Sequence, residues 1–328
     1  MTTHPRETAL VTGAAGFVGG HLARTLVSRG HRVRALARVP ERAAELRLIG
    51  IEVRQGDLRD RESLGRAVAG AGVVYHLAGM TRPAGVPASE SAAVNVEGVR
   101  SLVAAAGAAG VRRVVHCSTA DVHGCVAQAP ANEDSPLQPR DACAASKLEG
   151  EQASREAAER AGVELVIARP SRVYGPGDRR LLGVFRAIAR RRWVTLGPGR
   201  TSCHLTYVDD LVSGLRLCGD VSGAAGRVYL LAGPEITTLD KFVRLVAREA
   251  GVRSPGLHVP VWSFRLAAAA SDAFRAEPGL WRARLDFHTR SRSFDTSRAR
   301  VELGYDPRVG LREGVRRCLE WYRGRDWL

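Results

Sequence analysis

Thr8-Ala-Leu-Val-Thr12-Gly-Ala-Ala-Gly16-Phe-Val-Gly19 is the stretch on which the fold turns. Thr8–Thr12 is a short run of the kind found in strands buried on both faces. Glycines at 13, 16 and 19 follow at once, and a helix-like stretch runs from Gly16 to Arg29. Each glycine has its own task. Gly13 permits a tight turn, Gly16 lets backbone N–H groups approach a pyrophosphate, and Gly19 lets the helix pack closely on the sheet. The helix N-terminus adds a field that favours an anion. Three glycines alone are a weak signal. Set between a strand and a helix they predict a dinucleotide-binding turn, with Ala15, Phe17 and Val18 as its remaining members.

Outward from this turn the first 170 residues alternate strand-like and helix-like segments. Strands are predicted at Thr8–Thr12, Arg32–Ala37, Ile51–Gln55, Val73–Ala78, Val111–Ser118 and Glu164–Ala168, and helices at Gly16–Arg29, Pro40–Ile49, Arg61–Ala69, Ser91–Ala109 and Cys143–Arg160. Such repetition predicts an α/β protein with a Rossmann-type, doubly wound parallel sheet. After Pro170 the rhythm breaks at Tyr174-Gly-Pro-Gly-Asp178, a turn signal. Residues 1–170 are therefore expected to form a nucleotide domain and residues 171–328 a smaller mixed α/β substrate region, parts of which pack back on the first. Gly, Pro and apolar residues interleave through Arg253–Glu277, a stretch that fits either a pocket wall or lid or an ordinary packed helix.

Composition excludes several classes. With 328 residues, 45% apolar and 25% charged, the chain can bury a full core and is neither disordered nor fibrous. No apolar run approaches the roughly 18 residues a membrane span needs, and the beginning of the chain lacks the pattern of a secretion signal, so a cytoplasmic protein without membrane attachment is expected. Six cysteines are scattered without a C-x-x-C pair or a histidine at metal spacing, which argues against a zinc site. The balance of 49 basic and 34 acidic residues gives 49 − 34 = +15, yet the arginines spread along the whole chain and aromatics are only 5%, so no nucleic-acid partner is expected. Of the 49 basic residues only Lys147 and Lys241 are lysines.

The motifs resemble the extended short-chain dehydrogenase/reductase family over almost the whole chain. Besides the glycine turn, they are Gly56-Asp57-Leu58, His76-Leu-Ala-Gly79, Asn95-Val-Glu-Gly98, Ser118-Thr119, Arg169-Pro-Ser-Arg-Val-Tyr-Gly175, Tyr207-Val-Asp-Asp210 and Leu303-Gly-Tyr-Asp-Pro307. The resemblance implies that Asp57 and Leu58 flank the adenine, that Leu77, Ala78 and Gly79 line the cofactor, and that Pro170 and Val173 lie near the nicotinamide. It also suggests a homodimer. At the end of the second strand the acidic position expected of an NAD site falls on Ala37, with Arg38 beside it, and an arginine suits a 2′-phosphate. NADP(H) is the cofactor expected.

The resemblance further implies a hydroxyl residue, a tyrosine and a lysine as the reacting set. Thr119, with Ser118 as the alternative, matches the hydroxyl and Lys147 the lysine, but the tyrosine position holds Cys143. A thiol is a weak hydrogen-bond donor on a short side chain, so Cys143 is a poor replacement for a phenol. Two other departures weaken a sugar-nucleotide reading: Cys203 stands where many such members have an arginine, and Thr119-Ala-Asp121 replaces Thr-Asp-Glu. The combination is similar to atypical ketoreductases that tailor aromatic polyketides in antibiotic biosynthesis. The expectation is NADPH-dependent reduction of an apolar, aromatic, angucyclinone-type ketone, with the proton drawn from substrate, water or another group. Two alternatives stand beside it: a nucleotide-sugar epimerase or dehydratase using His123, Tyr174 or Tyr207, and a catalytically silent NADP(H)-binding regulatory protein.

Overall fold

In the computed structural model, residues 7–80, 88–126, 129–263, 285 and 287–328 are described. The elements are β1 (Thr8–Thr12), α1 (Phe17–Ser28), β2 (Arg32–Ala37), α2 (Ala44–Arg47), β3 (Glu52–Gln55), α3 (Arg61–Val68), β4 (Ala71–His76), α4 (Ala88–Ala92), α5 (Gly98–Ala108), β5 (Arg113–Cys117), α6 (Ala142–Ala161) and β6 (Glu164–Pro170). They continue with β7 (Arg172–Tyr174), α7 (Leu182–Ala189), β8 (Thr195–Leu196), β9 (Ser202–Tyr207), α8 (Val208–Asp220), β10 (Val228–Leu231), β11 (Ile236–Thr238), α9 (Leu239–Ala250), β12 (His258–Val259), α10 (Ser297–Leu303) and α11 (Leu311–Arg323).

Seven strands form one parallel sheet in the order β10-β6-β5-β4-β1-β2-β3. The chain moves outward from β1 through β2 to β3, then crosses back to β4 on the other side. The resulting switch point between β1 and β4 is where the strands' carboxyl ends leave a crevice. Helix α1 covers one face and the α5–α6 pair the other. Val11, Leu22, Tyr75 and Leu211 are buried in one core layer, and Leu10, Leu64, Val74 and Leu102 in the other. The alternation of Leu10 and Val11 between layers shows why the strand is apolar at every position.

Residues 171–328 supply β10 to this sheet and α8 to its face. Arg113, at the start of β5 and fully buried, fastens α8: its guanidinium donates to the carbonyl oxygens of Cys218 and Gly219 and pairs with Glu164 at 2.7 Å. A cation is favoured there because the helix ends in unpaired carbonyls. The remaining strands make a three-stranded sheet, β11-β9-β7, and a short pair, β12-β8.

Most boundaries shift by one or two residues, and three elements depart from the sequence reading in a way that shapes the site. The predicted helix at Pro40–Ile49 is a 3₁₀ turn at Pro40–Ala43 followed by the single turn α2. The predicted helix at Ser91–Ala109 is interrupted by a π turn at Ala93–Glu97. The predicted strand Val73–Ala78 runs instead from Ala71 to His76, because Leu77 and Ala78 turn away to meet the glycine loop. Of the apolar stretch Arg253–Glu277, residues 264–277 lie outside the described residues, so the pocket-wall reading concerns mostly those.

Candidate active site and cofactor cleft

The glycine turn is built as its spacing requires. Gly13 has φ +74°, and a Cβ on it would lie 2.7 Å from the amide nitrogen of Ala78. A Cβ on Gly19 would lie 2.2 Å from the carbonyl oxygen of Gly13. Both contacts are with backbone, which cannot step aside. Thr12 closes the joint: its Oγ1 accepts from Ala78 N at 3.1 Å and is hydrogen-bonded to His76 Nδ1 at 2.8 Å. Helix α1 opens at Gly16 with no side-chain cap and no acidic residue in its first turn. Its leading N–H groups therefore have no competing anion from the chain, and Ala15 and Gly16 are exposed. Phe17 and Val18 are half-buried behind them. This cradle fits a dinucleotide pyrophosphate.

The tips of β2 and β3 carry the residues that the family resemblance assigns to the adenine. Asp57 is clamped by Arg59, whose Nη2 is 2.7 Å from Oδ2, and this pairing holds the Asp57 carboxyl below its ordinary range. Leu58 is buried below it. Arg38 is exposed at the end of β2 and, among the described residues, makes no hydrogen bond or ion pair.

Lys147 stands at the other end of the crevice. It lies on α6, with Nζ donating to the carbonyl oxygen of Cys117 at 3.5 Å. A Cβ on Gly79 would come within 2.6 Å of Nζ, so glycine there leaves room for the ammonium. Burial lowers the lysine from its ordinary range, and raises the nearby Cys117 thiol to about 11. Leu77 and Ala78 are half-buried between these two ends. Pro170 closes β6 and is buried, while Val173 is half-buried in β7 beside Thr206 of β9.

Sequence reading assigned no role to Asn95, which organises this end of the cleft. It sits in the π turn, a distortion often found at functional sites. Its Oδ1 accepts from Met80 N at 2.8 Å, and its Nδ2 donates to Met80 O at 2.9 Å and to Ser146 Oγ at 3.0 Å. One side chain thus ties the Leu77–Met80 loop to the helix bearing Lys147. The interrupted helical period and the Asn95-Val-Glu-Gly98 motif were the available signals.

The hydroxyl candidates differ. Thr119 Oγ1 accepts from Asp121 N at 3.2 Å, capping the 3₁₀ turn Ala120–His123, and its proton remains free to donate. Ser118 is buried, and its Oγ has no partner among the described residues. Cys143 lies in the first turn of α6, capped by Asp141, and is half-buried. Helix α6 packs on the Thr119 turn, which brings Thr119, Cys143 and Lys147 to one region. Asp121 is not a free base: Arg292 Nε lies 2.9 Å from its Oδ1.

Three candidates for a replacement acid are ruled out by where they sit. His123 is buried, with Nε2 3.3 Å from Arg169 Nη1 and Nδ1 3.3 Å from Pro136 O, and burial lowers it further from the charged form. Tyr174 and Tyr207 pack edge to face in the core, and burial raises both phenols above the ordinary range. A phenol or imidazole enclosed in this way cannot exchange protons with a ligand in the cleft.

Residues 9–232 match the NAD dependent epimerase/dehydratase family. The chain belongs to that family. Its NAD(P) dinucleotide is the cofactor the glycine cradle fits. The chain is 30% identical over 93% of its length to a 4-hydroxy-2-methyl-3-oxo-4-farnesyl-3,4-dihydroquinoline-1-oxide ketoreductase of Stigmatella aurantiaca, covering 93% of that protein. It is also 30% identical to a UDP-glucose 4-epimerase of Mycolicibacterium smegmatis, over 96% of this chain and 98% of that one. The crystal structure of gox2253 superposes with a TM-score of 0.83 at 29% identity, covering 98% of this chain and 99% of the other. The family thus spans ketone reduction and sugar epimerisation on one fold, so the site's own residues must separate them. None of the six cysteines is in a disulfide, and no His, Cys, Asp and Glu cluster among the described residues has metal-binding geometry. No helix among the described residues is long and apolar enough to cross a membrane.

Proposed function

We propose that this family member is an NADPH-dependent ketoreductase acting on a flat, aromatic, angucyclinone-type polyketide ketone. The observation that carries the reading is the pairing of a retained Lys147 with Cys143 at the tyrosine position, while His123, Tyr174 and Tyr207 are enclosed. An epimerase must remove a proton as it takes hydride and later return both, so it needs a residue that cycles between acid and base. A reductase needs only to stabilise charge growing on one oxygen. Kinship with a ketoreductase acting on a fused-ring ketone supports the same side.

NADPH, when bound, supplies the hydride to the carbonyl carbon. The carbonyl oxygen gains the displaced electron pair and takes one proton, from a neighbouring phenol of the substrate or from water. Thr119 would donate a hydrogen bond to that oxygen or water, and Lys147 would hold the ribose and keep the local potential positive. Preference for the 2′-phosphate rests on Arg38, which faces solvent and whose side chain makes no hydrogen bond or ion pair among the described residues, although its charge is felt by Asp57.

Purified protein mixed with NADPH and a panel of aromatic ketones should show loss of NADPH absorbance in proportion to alcohol formed. Conversion of a nucleotide sugar to its epimer with no net loss of cofactor would replace this reading by the epimerase one.

A further inference from the structure

Among the described residues, the three buried arginines, Arg34, Arg113 and Arg169, each have a carboxylate partner. Arg34 pairs with Glu52 at 2.9 Å and donates to the carbonyls of Ala67 and Ala69. Arg113 pairs with Glu164 and four carbonyls. Arg169 makes two parallel bonds to Glu151, at 3.0 and 2.7 Å. The side chain of Arg172, three residues after Arg169 and half-buried in β7, makes no hydrogen bond or ion pair among the described residues. Its guanidinium carbon lies over the Phe287 ring, 4.6 Å from the centroid.

A ring contact takes up none of the guanidinium's conventional hydrogen-bonding capacity, and a carboxylate can accept two parallel bonds from such a group. The neighbours add to the demand for negative charge. Burial works against the charge of Arg172, with Arg292 and Arg180 opposing it further, while Asp121 supports it. Asp121 is itself engaged by Arg292 at 2.9 Å. The buried Asp178 also acts on Arg172 and Arg180, but its oxygens accept from the amides of Arg180 and Leu181, so three arginines face two carboxylates that are both already engaged. The group lies beside Cys203, whose thiol burial raises to about 11 although Arg172 and Arg292 oppose the rise. Asp121 is two residues from Thr119, and Arg180 acts electrostatically on both Arg172 and Lys147, so this charge borders the reacting region.

We propose that Arg172 is a specificity-determining residue that binds an anionic group of the substrate, a carboxylate carried on or beside the aromatic skeleton. The inference deepens the ketoreductase reading and rests on it for the identity of the reacting group. A ligand carboxylate would supply the counter-charge that Glu52, Glu164 and Glu151 give to the other buried arginines.

The test measures binding and turnover separately. Fluorescence titration of the NADP⁺-loaded protein with 2-naphthoate, methyl 2-naphthoate and 2-naphthyl phosphate reads recognition without chemistry. The carboxylate should bind about tenfold or more tightly than its ester, in line with a charge-assisted pair. Arg172→Gln should abolish that preference and Arg172→Lys should keep part of it, with NADP⁺ affinity reporting that each variant is folded. Tighter binding of the phosphate than of the carboxylate, equal binding of acid and ester, no binding of either, or a preference that survives in Arg172→Gln would each overturn the proposal. In the second arm a tetralone carboxylic acid and its methyl ester are offered with NADPH. Arg172-dependent binding of the naphthoate without reduction of either ketone would leave the anion site standing and defeat the reductase reading. Reduction of both at equal kcat/KM would do the reverse.

Discussion

Lys147 Nζ and the space above Gly79 are matched: any side chain at 79 would begin 2.6 Å from the ammonium, whose other contact is the carbonyl oxygen of Cys117 at 3.5 Å. The loop after β4 and the helix after β5 are thus fitted to one another around a single cation. Gly79→Ala should raise the Kd for NADPH about tenfold or more while the protein stays folded, because a flexible lysine end can move but not without leaving its place. Isothermal titration with NADPH checks this. Unchanged affinity would mean that Lys147 does not reach the cofactor.

Cys143 stands where a proton-donating tyrosine is expected, and the proposed chemistry does not use it. Cys143→Ala should leave kcat within about threefold of the parent, since an equal or smaller side chain removes no donor from the reaction. Lys147→Met should lower kcat/KM by roughly 100-fold or more, through lost cofactor placement and lost positive potential. The two variants are compared in the same NADPH-oxidation assay. A collapse of activity in Cys143→Ala would make the thiol the acid after all.

Arg38 follows the end of β2 and is exposed, so its charge is available to a 2′-phosphate. Arg38→Ala should weaken NADPH about tenfold and leave NADH nearly unaffected, because only one of the two carries the phosphate. Equal losses for both cofactors would assign Arg38 to the adenine ring or to structure. The preference should also shrink at high salt, since the site faces solvent.

How far the site could be read in the sequence depended on how local each interaction is. Gly13, Gly16 and Gly19 were legible because a tight turn and a close helix packing are properties of a few adjacent residues. Lys147 was legible through its fixed interval from Cys143. Asn95 was not, since its partners, Met80 and Ser146, come from a different loop and a different helix. Arg172 is invisible for the same reason: among 47 arginines, only the tertiary structure shows that Arg34, Arg113 and Arg169 have carboxylates and this one has a phenyl ring. Tyr174 and Tyr207 illustrate the opposite error. Their chemistry suits a proton donor, but β7 and β9 bury them in the core.

The Arg169–Glu151 pair is fully buried between β6 and α6, at 3% and 2% side-chain exposure. Removing one partner leaves the other charge without water or counter-ion. Glu151→Gln should therefore cost about 3–5 kcal/mol, and His123, which contacts the same guanidinium, should lose its ordered position. The double variant Arg169→Met/Glu151→Leu should cost less than the single one, because it buries no charge. Urea unfolding of the three proteins provides the comparison, and a double variant worse than Glu151→Gln would show that the pair is more than mutually neutralised.

His76 and His116 stand edge to face, centroids 5.3 Å apart, at the buried ends of β4 and β5. Burial lowers both from the ordinary histidine range, His76 to about 3, and the nearby Lys147 adds to the effect. Both are therefore neutral in the folded protein near neutral pH. In the unfolded chain each takes up a proton below a pKa of about 6.5. The unfolded state thus binds more protons as pH falls below that value, and stability is lost in the same direction. The contribution is complete above about pH 6.5 and drains away toward pH 3. His116 has no partner for either ring nitrogen among the described residues, so His116→Leu removes a titrating group without breaking a protein hydrogen bond. Its unfolding free energy should fall less steeply between pH 6.5 and 4.5 than the parent's, by about 1.4 kcal/mol per pH unit at most. Parallel slopes across that window would show that His116 is solvated or already charged in the folded state.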